Sequence, residues 1–320
     1  MKFISALMLS ATLSLTASAA DSYTNPVFAS DWGSPTITAF RGDDGAFYGF
    51  IYQGWGRYSR DLVAWQDAYR VADDAGSFGN YTLYWPNVNK IGDRYVMYYT
   101  CLTEGQSNGP QVAVSLSSQP ASYYSPNKVL LTASQLGLNA VNQPFMAADA
   151  SDKYLFVSSP GQGIYAVRLS ADGLSLADNN KIQITSAEMS CPRVCFRNGY
   201  YYLFAQADQV NSTGKSTTNI VVGRSASITG PYLDAAGGRL LDGFYHTAMA
   251  GNSYFFNPSN ISPLITDDAG NDWIIYNAVQ ASASHTYTMM LLDRVQWLDE
   301  WPLISDGYPS YYPTAAPVIR

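Results

Sequence analysis

Hydrophobic residues along the chain fall into short runs rich in aromatic side chains, and polar turns separate these runs. One unit recurs five times: a proline near the start of a short apolar strand, a turn of Asp, Gly, Asn or Ser, and a second, aromatic-rich strand. Two such strands joined by a polar turn are typical of a β-hairpin. The five prolines are Pro35, Pro86, Pro144, Pro192 and Pro263.

The distance between successive units predicts the architecture. Neighbouring prolines are roughly 50 to 70 residues apart, which leaves room for four short strands and is typical of propeller blades. We therefore predict an all-β, five-bladed β-propeller that forms a single domain over residues 21–320. Because proline cannot donate to a strand ladder, the innermost strands are expected to begin at their prolines. The residues just before each proline would then surround one central pocket.

The first 20 residues have the composition of an export signal. Lys2 precedes a long apolar run, which ends in small residues at the spacing that a signal peptidase reads, Ala17 and Ala19. We therefore expect residues 1–20 to be removed and residues 21–320 to be secreted, either to the cell exterior or to a periplasm. No later apolar run approaches the roughly 20 residues that cross a bilayer, so no membrane partner is expected.

The composition favours an uncharged ligand. The chain of 320 residues has 25 Tyr, 13 Phe and 7 Trp but only 13% charged residues, and its net charge is −7. Nucleic-acid binding needs a basic stripe that contacts phosphates, and the sequence contains no cluster of Lys and Arg. We therefore exclude nucleic acid as a partner and expect a monomer that needs no cofactor.

Three cysteines and two histidines offer little further chemistry. Cys101, Cys191 and Cys195 are too few for a disulfide scaffold, and we expect buried free thiols. His246 and His285 lie at no zinc-site spacing from a cysteine, and neither accompanies a nucleophile-elbow motif. The sequence therefore predicts neither a metal site nor a serine triad.

Four segments spread over the chain form a recognisable set. They are TNPVFASDWGSP (24–35), SITGPYLDAAGGRLLDG (227–243), NISPLITDDAGNDWIIYNAV (260–279) and LLDRVQWLDEWPLISDGYPS (291–310), of which the last is the most specific. Together they resemble glycoside hydrolase family 43, especially its arabinanase branch, over nearly the whole mature chain. The resemblance implies a propeller that acts on plant-wall polysaccharides such as arabinan or xylan.

The resemblance also implies three catalytic carboxyl groups around the channel. One acts as a base towards water, one protonates the leaving oxygen and one tunes the acid, with acid and base about 6.5–9.5 Å apart in this inverting reaction. At the matching positions this chain has Ser34 for the base, Gln143 for the tuning group and Ser190 for the acid. Hydroxyl and amide groups transfer protons poorly near neutral pH. Ile261 likewise stands where the arabinanase branch has a channel histidine, which removes the expected partner of a channel metal.

Two acidic residues lie close to the substituted positions. Asp31 precedes Ser34 by three residues, and Glu188 precedes Ser190 by two. A shift of two residues keeps the same face of a strand but moves the side chain by about 7 Å. A displaced acid and base pair, Asp31 and Glu188, is therefore an open alternative, beside the interpretation that both are solvated loop carboxylates.

Aromatic and uncharged polar residues near the prolines are candidates for saccharide binding. Sugar rings stack on flat aromatic faces, while amide and hydroxyl groups bond the sugar hydroxyls. The candidate substrate-binding residues are Trp32, Ser34, Trp85, Asn87, Asn142, Gln143 and Ser190. Packing in the core is the alternative role for the two tryptophans.

These patterns leave four hypotheses for function. The leading one is a secreted carbohydrate-active protein that resembles the arabinan- and xylan-type glycosidases of family 43 but lacks the standard inverting carboxylates. The second is a non-catalytic pseudoenzyme that captures an oligosaccharide in the neutral channel. The third is an active glycosidase or lyase that uses displaced carboxylates. The fourth is a structural or host-interaction protein without a sugar site, which the aromatic and polar channel positions disfavour.

Overall fold

The computed structural model describes residues 21–29, 38–50, 54–70, 75–76, 79–103, 109–210, 216–281 and 286–320. The predicted signal at 1–20 lies outside the described residues, as do Asp31, Trp32, Ser34, Pro35 and His285. The described residues form five main antiparallel sheets, which are the five blades of a propeller. The predicted fold class is confirmed.

The strands of each blade follow one another in chain order. Two short strands come first, β1 (Ser22–Tyr23) and β2 (Phe28–Ala29). The first blade contains β3 (Thr38–Arg41), β4 (Phe47–Phe50), β5 (Trp55–Ser59) and β6 (Gln66–Arg70). The second contains β7 (Ala75–Gly76), β8 (Gly79–Ile91), β9 (Arg94–Thr103), β10 (Gln111–Ser117) and β11 (Lys128–Leu131). The third contains β12 (Asn142–Ala148), β13 (Lys153–Ser159), β14 (Gly163–Leu169) and β15 (Leu176–Gln183).

The remaining two blades complete the ring. The fourth contains β16 (Met189–Arg197), β17 (Tyr200–Val210), β18 (Ser216–Ser225) and β19 (His246–Met249). The fifth contains β20 (Phe256–Ser259), β21 (Ile265–Thr266), β22 (Asp272–Ala281), β23 (Thr286–Leu298) and β24 (Trp301–Ile304), and β25 (Thr314–Ala315) follows it. Helical structure in the described residues is confined to α1 (Ala133–Leu136) and a 3-10 turn (Leu240–Asp242). Neither helix has the length and apolar character needed to cross a membrane.

Hydrophobic clusters hold neighbouring blades together. In the described part of the chain there are five, one at each interface between two blades. Because other blades cover both faces of a blade, the centres of its middle strands are buried and mainly apolar, and they do not alternate. Every residue of β9 from Tyr95 to Cys101 is buried, for example. The abundance of Tyr and Phe in the sequence is therefore explained by packing between the blades.

The two ends of the chain close the ring at the fifth blade. β2 pairs with β23, and β1 pairs with β25. Asp293, on β23, is buried. Its carboxylate accepts hydrogen bonds from Ser310 Oγ (2.5 Å), Tyr276 OH (2.7 Å) and Asn25 Nδ2 (3.3 Å). Burial raises the pKa of Asp293 to about 6, although these hydrogen bonds act in the opposite direction. One carboxyl group thus joins the N-terminal segment, the fifth blade and the C-terminal segment.

Three of the repeated prolines, Pro86, Pro144 and Pro192, lie at a β-bulge inside the innermost strand, so for these three the expectation that they begin the strand is wrong. In β8 the register shifts at Trp85 and Pro86, which together face a single residue of β9. The same shift surrounds Pro144 in β12 and Pro192 in β16. A bulge leaves one residue outside the ladder, so a residue without an amide hydrogen fits there.

The residue before each bulge proline has a left-handed backbone. Its φ is 46° at Trp85, 53° at Gln143 and 58° at Cys191. Such a conformation costs a non-glycine residue about 1–3 kcal/mol and persists only where its surroundings hold it. The bulges therefore need a contact that compensates for this strain.

The fifth blade has two left-handed residues in this region. The register of β20 shifts between Phe256 and Ser259, so that Asn257 (φ 54°) and Pro258 together face one residue of β22. Asn260 (φ 49°) follows Ser259, and Ser262 N–H donates to Ile275 O (2.7 Å), so Asn260 and Ile261 take the places of the bulge residue and its proline in the other blades. Pro263 lies two residues further on. The fifth unit read from the sequence is therefore displaced by two residues from the structural repeat.

A hydrogen bond from the preceding blade holds each of three bulges. The pairs are Gln143 N–H to Thr100 Oγ1 (3.0 Å), Cys191 N–H to Ser158 Oγ (2.9 Å) and Asn260 N–H to Gln206 Oε1 (3.2 Å). The acceptors occupy equivalent positions, each on the second strand of its blade. They satisfy buried N–H groups that the bulge has removed from the ladder, and so they fix the side chains at one end of the channel.

Candidate functional site

A cavity of about 420 Å³ opens at the end of the channel where the bulges lie, and we call it the bulge-end cavity. Five of the predicted site residues line it: Trp85, Asn142, Gln143, Glu188 and Ser190. Ser158 and Asp208, which the sequence did not single out, line it as well. Asp31, Trp32 and Ser34 lie outside the described residues, so their place in the site stays a prediction.

Trp85 provides the aromatic face of the bulge-end cavity. Its side chain is half-buried, and its ring lies 5.5 Å from the ring of Tyr84, tilted by 34°. Asn142 and Ser190, also half-buried, immediately precede the bulges of the third and fourth blades. The cavity therefore combines a flat apolar surface with neutral hydrogen-bonding groups, which is the combination that sugar rings require.

Gln143 connects three blades beneath this cavity. It is buried, and its N–H donates to Thr100 in the second blade. Its Oε1 accepts a hydrogen bond from Cys191 N–H in the fourth blade at 3.0 Å. An amide cannot ionise, so Gln143 contributes geometry to the site but neither a charge nor a transferable proton.

Asn87 has a different environment from the other predicted site residues. It is buried, and its Oδ1 accepts hydrogen bonds from Met146 N–H (2.9 Å) and Asn89 Nδ2 (2.7 Å). The first of these bonds joins the second and third blades. Asn87 does not line the bulge-end cavity, and its predicted contact with substrate stays a prediction.

Two carboxylates lie side by side at the rim of the bulge-end cavity. Asp208 N–H donates to Glu188 O (3.2 Å), which makes these exposed residues neighbours across β16 and β17. Ser186 Oγ donates to Glu188 Oε1 and Thr218 Oγ1 donates to Asp208 Oδ1, both at 2.7 Å. Both carboxylates therefore stand on one wall of the cavity. Glu188 was predicted from the sequence. Asp208 was missed because the bulge in β16 decides which residue of β17 lies opposite Glu188.

The cysteines are free thiols, as expected. Burial raises the pKa of Cys101 and of Cys195 to about 12, so both stay protonated near neutral pH and are poor nucleophiles and ligands. Ile261, at the position of the family's channel histidine, is fully buried in a hydrophobic cluster. The described residues also contain no group of three His, Cys, Asp or Glu side chains able to hold a metal ion. A channel metal therefore does not fit the described residues of the channel.

The comparison with known families decides the relationship that these features suggest. The model of glycosyl hydrolases family 43 matches residues 23–302. The chain belongs to this family. Among the relatives of this family 43 chain is an extracellular endo-α-(1→5)-L-arabinanase of Bacillus subtilis, 24% identical over 224 residues, which are 68% of this chain and 67% of the relative.

Two further similarities extend over longer parts of this family 43 chain. A probable arabinan endo-1,5-α-L-arabinosidase C of Aspergillus niger is 24% identical over 323 residues, with 93% of this chain and 100% of the relative covered. The solved structure of a Cellvibrio cellulosa α-L-arabinanase with arabinohexaose superposes with a TM-score of 0.72 at 22% identity, covering 87% of this chain and 98% of the other. The structural similarity shows that this chain and the Cellvibrio cellulosa protein share the five-bladed fold.

Proposed function

We propose that this protein is a secreted carbohydrate-binding member of family 43, which holds an arabinan- or xylan-type oligosaccharide in the bulge-end cavity without the family's standard inverting hydrolysis. The observation that carries the proposal is the wall of the cavity. Trp85 offers a stacking face, and Asn142, Gln143 and Ser190 offer neutral hydrogen-bonding groups around it. The relatives are named as arabinanases, one of them extracellular, and this supports an arabinan ligand and export.

The placement of carboxylates supports binding without standard turnover. Inversion needs an acid and a base about 6.5–9.5 Å apart on opposite sides of the scissile bond. An amide, Gln143, and a hydroxyl, Ser190, stand at two of the three positions where the family resemblance expects carboxyl groups. Glu188 lies in the turn just before β16 and Asp208 on the adjacent strand β17 of the same blade, so they form one wall and do not face each other across the cavity.

A second candidate function is hydrolysis or lyase chemistry by displaced carboxylates. The observation that favours it is the presence of Glu188 at the rim of the bulge-end cavity, within reach of a bound chain. Its partner in this hypothesis is Asp31, which lies outside the described residues. In this reading Glu188 would exchange a proton with the glycosidic oxygen while Asp31 acts on water.

Two measurements on the purified protein separate these functions. Reducing ends are measured after incubation with arabinan, xylan and galactan, and calorimetry measures binding of the matching oligosaccharides. The proposal expects binding without turnover, and Trp85→Ala is expected to weaken it by about tenfold through the loss of the stacking face. The control is Phe196→Ala, which removes a 62% exposed aromatic residue at the other end of β16 and should leave affinity unchanged.

Other outcomes contradict the proposal in different ways. Turnover that Glu188→Gln abolishes would replace it with the displaced-carboxylate mechanism. No binding to any of the three glycans would leave the structural or host-interaction role.

A further inference from the structure

The centre of the propeller contains a buried cation. Arg193 lies on β16, two residues beyond the bulge residue Cys191, and is 5% exposed. Its guanidinium donates one hydrogen bond within the described residues, from Nη1 to Pro192 O at 2.7 Å, and its Nε has no acceptor there. A guanidinium carries five N–H donors, so most of its hydrogen-bonding capacity is unused.

Neighbours of Arg193 line two cavities of the channel, although Arg193 itself is not among the lining residues of either. Ser190, three residues before it on the same strand, lines the bulge-end cavity. The ring of Phe145, whose centroid is 5.3 Å from the guanidinium carbon, lines a second cavity of about 330 Å³. Later residues of the innermost strands in the first, second and fifth blades also line that second cavity, which places it towards the opposite end of the channel.

The charge of Arg193 has no counter-charge among the described residues. None of the described aspartates and glutamates contributes to its electrostatic environment, and the described group that does, Cys191, has a thiol whose pKa is raised by burial. The carboxylates of Glu188 and Asp208 are exposed at the rim and bonded to hydroxyl groups. Burial lowers the pKa of Arg193, but a guanidinium stays charged in proteins. An uncompensated buried charge is strongly unfavourable, so a counter-ion would remove a large penalty.

We propose that the channel binds a monovalent anion against Arg193, which donates hydrogen bonds to it from the nitrogens that have no protein acceptor. The anion is either an inorganic ion such as chloride or the carboxylate of an acidic sugar, which presents the same charge. The neighbouring channel residues Gln143 and Ser190 are neutral and add no negative charge that would repel it. Anion binding here does not depend on the neutral-saccharide function proposed above.

Bromide provides the direct test because it substitutes for chloride and scatters X-rays anomalously. Crystals of the full-length mature protein in sodium bromide are expected to show an anomalous peak beside the Arg193 guanidinium. In solution, bromide is expected to raise the thermal midpoint by several degrees in a saturable manner. Arg193→Met should abolish the saturable rise, whereas Arg94→Met, at an exposed arginine, should keep it.

The remaining arms identify the source of the anion and the outcome that overturns the site. If trigalacturonate raises the thermal midpoint at lower concentrations than chloride does, and Arg193→Met loses this rise, the anion is a saccharide carboxylate. If only halides raise the midpoint, the anion is an inorganic ion. Absence of a peak at Arg193 overturns the proposal, and so does an equal midpoint rise in wild type and Arg193→Met. The crystal arm uses only wild-type protein and no saccharide, so it remains decisive if the variant does not fold or if the neutral-saccharide proposal fails.

Discussion

Replacing Thr100 with valine removes the hydroxyl that holds the bulge of the third blade. Gln143 N–H donates to Thr100 Oγ1 at 3.0 Å, and both residues are buried. Valine keeps the shape of threonine but offers no acceptor, so the N–H would be left without a partner away from water. An orphaned buried group of this kind costs about 1–3 kcal/mol, and we expect the free energy of unfolding to fall by about 2 kcal/mol.

Ser158→Ala provides an internal comparison at the next bulge. Cys191 N–H lies 2.9 Å from Ser158 Oγ and 3.0 Å from Gln143 Oε1, so the loss of one acceptor leaves the other. We expect Ser158→Ala to lower the free energy of unfolding by less than about 1 kcal/mol. The double variant Ser158→Ala/Gln143→Leu removes both acceptors and should cost about 1 kcal/mol more than the sum of the two single changes.

Urea denaturation, followed by tryptophan fluorescence and far-UV circular dichroism, measures these free energies. The control is Ser115→Ala on β10, because Ser115 is buried and its hydroxyl has no partner within the described residues. Its removal orphans no group and should be nearly neutral. If Thr100→Val destabilises the protein no more than Ser115→Ala does, the bulge contacts do not stabilise the blades and the reasoning is refuted.

Three further predictions concern charge and thiol chemistry. Asp293, with a pKa of about 6 when folded against about 3.9 unfolded, binds an extra proton in the folded chain between these values. The contribution of Asp293 to the unfolding free energy should therefore fall by up to about 3 kcal/mol as pH rises through this interval and stay level above it. Urea titrations at several pH values measure this dependence, and Asp293→Asn should remove it. An unchanged pH dependence in Asp293→Asn would contradict the prediction. Asp208→Asn should raise the unfolding free energy by a few tenths of a kcal/mol, because it removes a like charge opposite Glu188, and a loss of stability would oppose it. Finally, the buried thiols of Cys101 and Cys191 should react with a disulfide reagent at pH 8 far more slowly than in urea, and rapid labelling of the native chain would exclude their burial.

The blade architecture could be predicted because its signal is local and repeated. Each hairpin carries its own polar turn, as at Asn198 and Gly199, and each middle strand has a mainly apolar centre. These features depend on neighbouring residues in the chain, so they can be counted without knowledge of tertiary contacts. The same repeat drew attention to Trp85, Asn142, Gln143 and Ser190, which line the bulge-end cavity, and their contact with a saccharide stays a prediction.

The sequence by itself therefore determined the number of blades, the hairpin pairs and the side chains near the channel mouth. Tertiary structure alone decided their register. Arg197 pairs with Tyr200, so an unbroken ladder between these two strands would place Glu188 opposite Gln209. The bulge at Pro192 shifts the pairing by one residue, and Glu188 lies opposite Asp208 instead. The bulge forms where contacts with the neighbouring blade hold a left-handed residue, and a shift of one residue in a ladder changes which side chains meet.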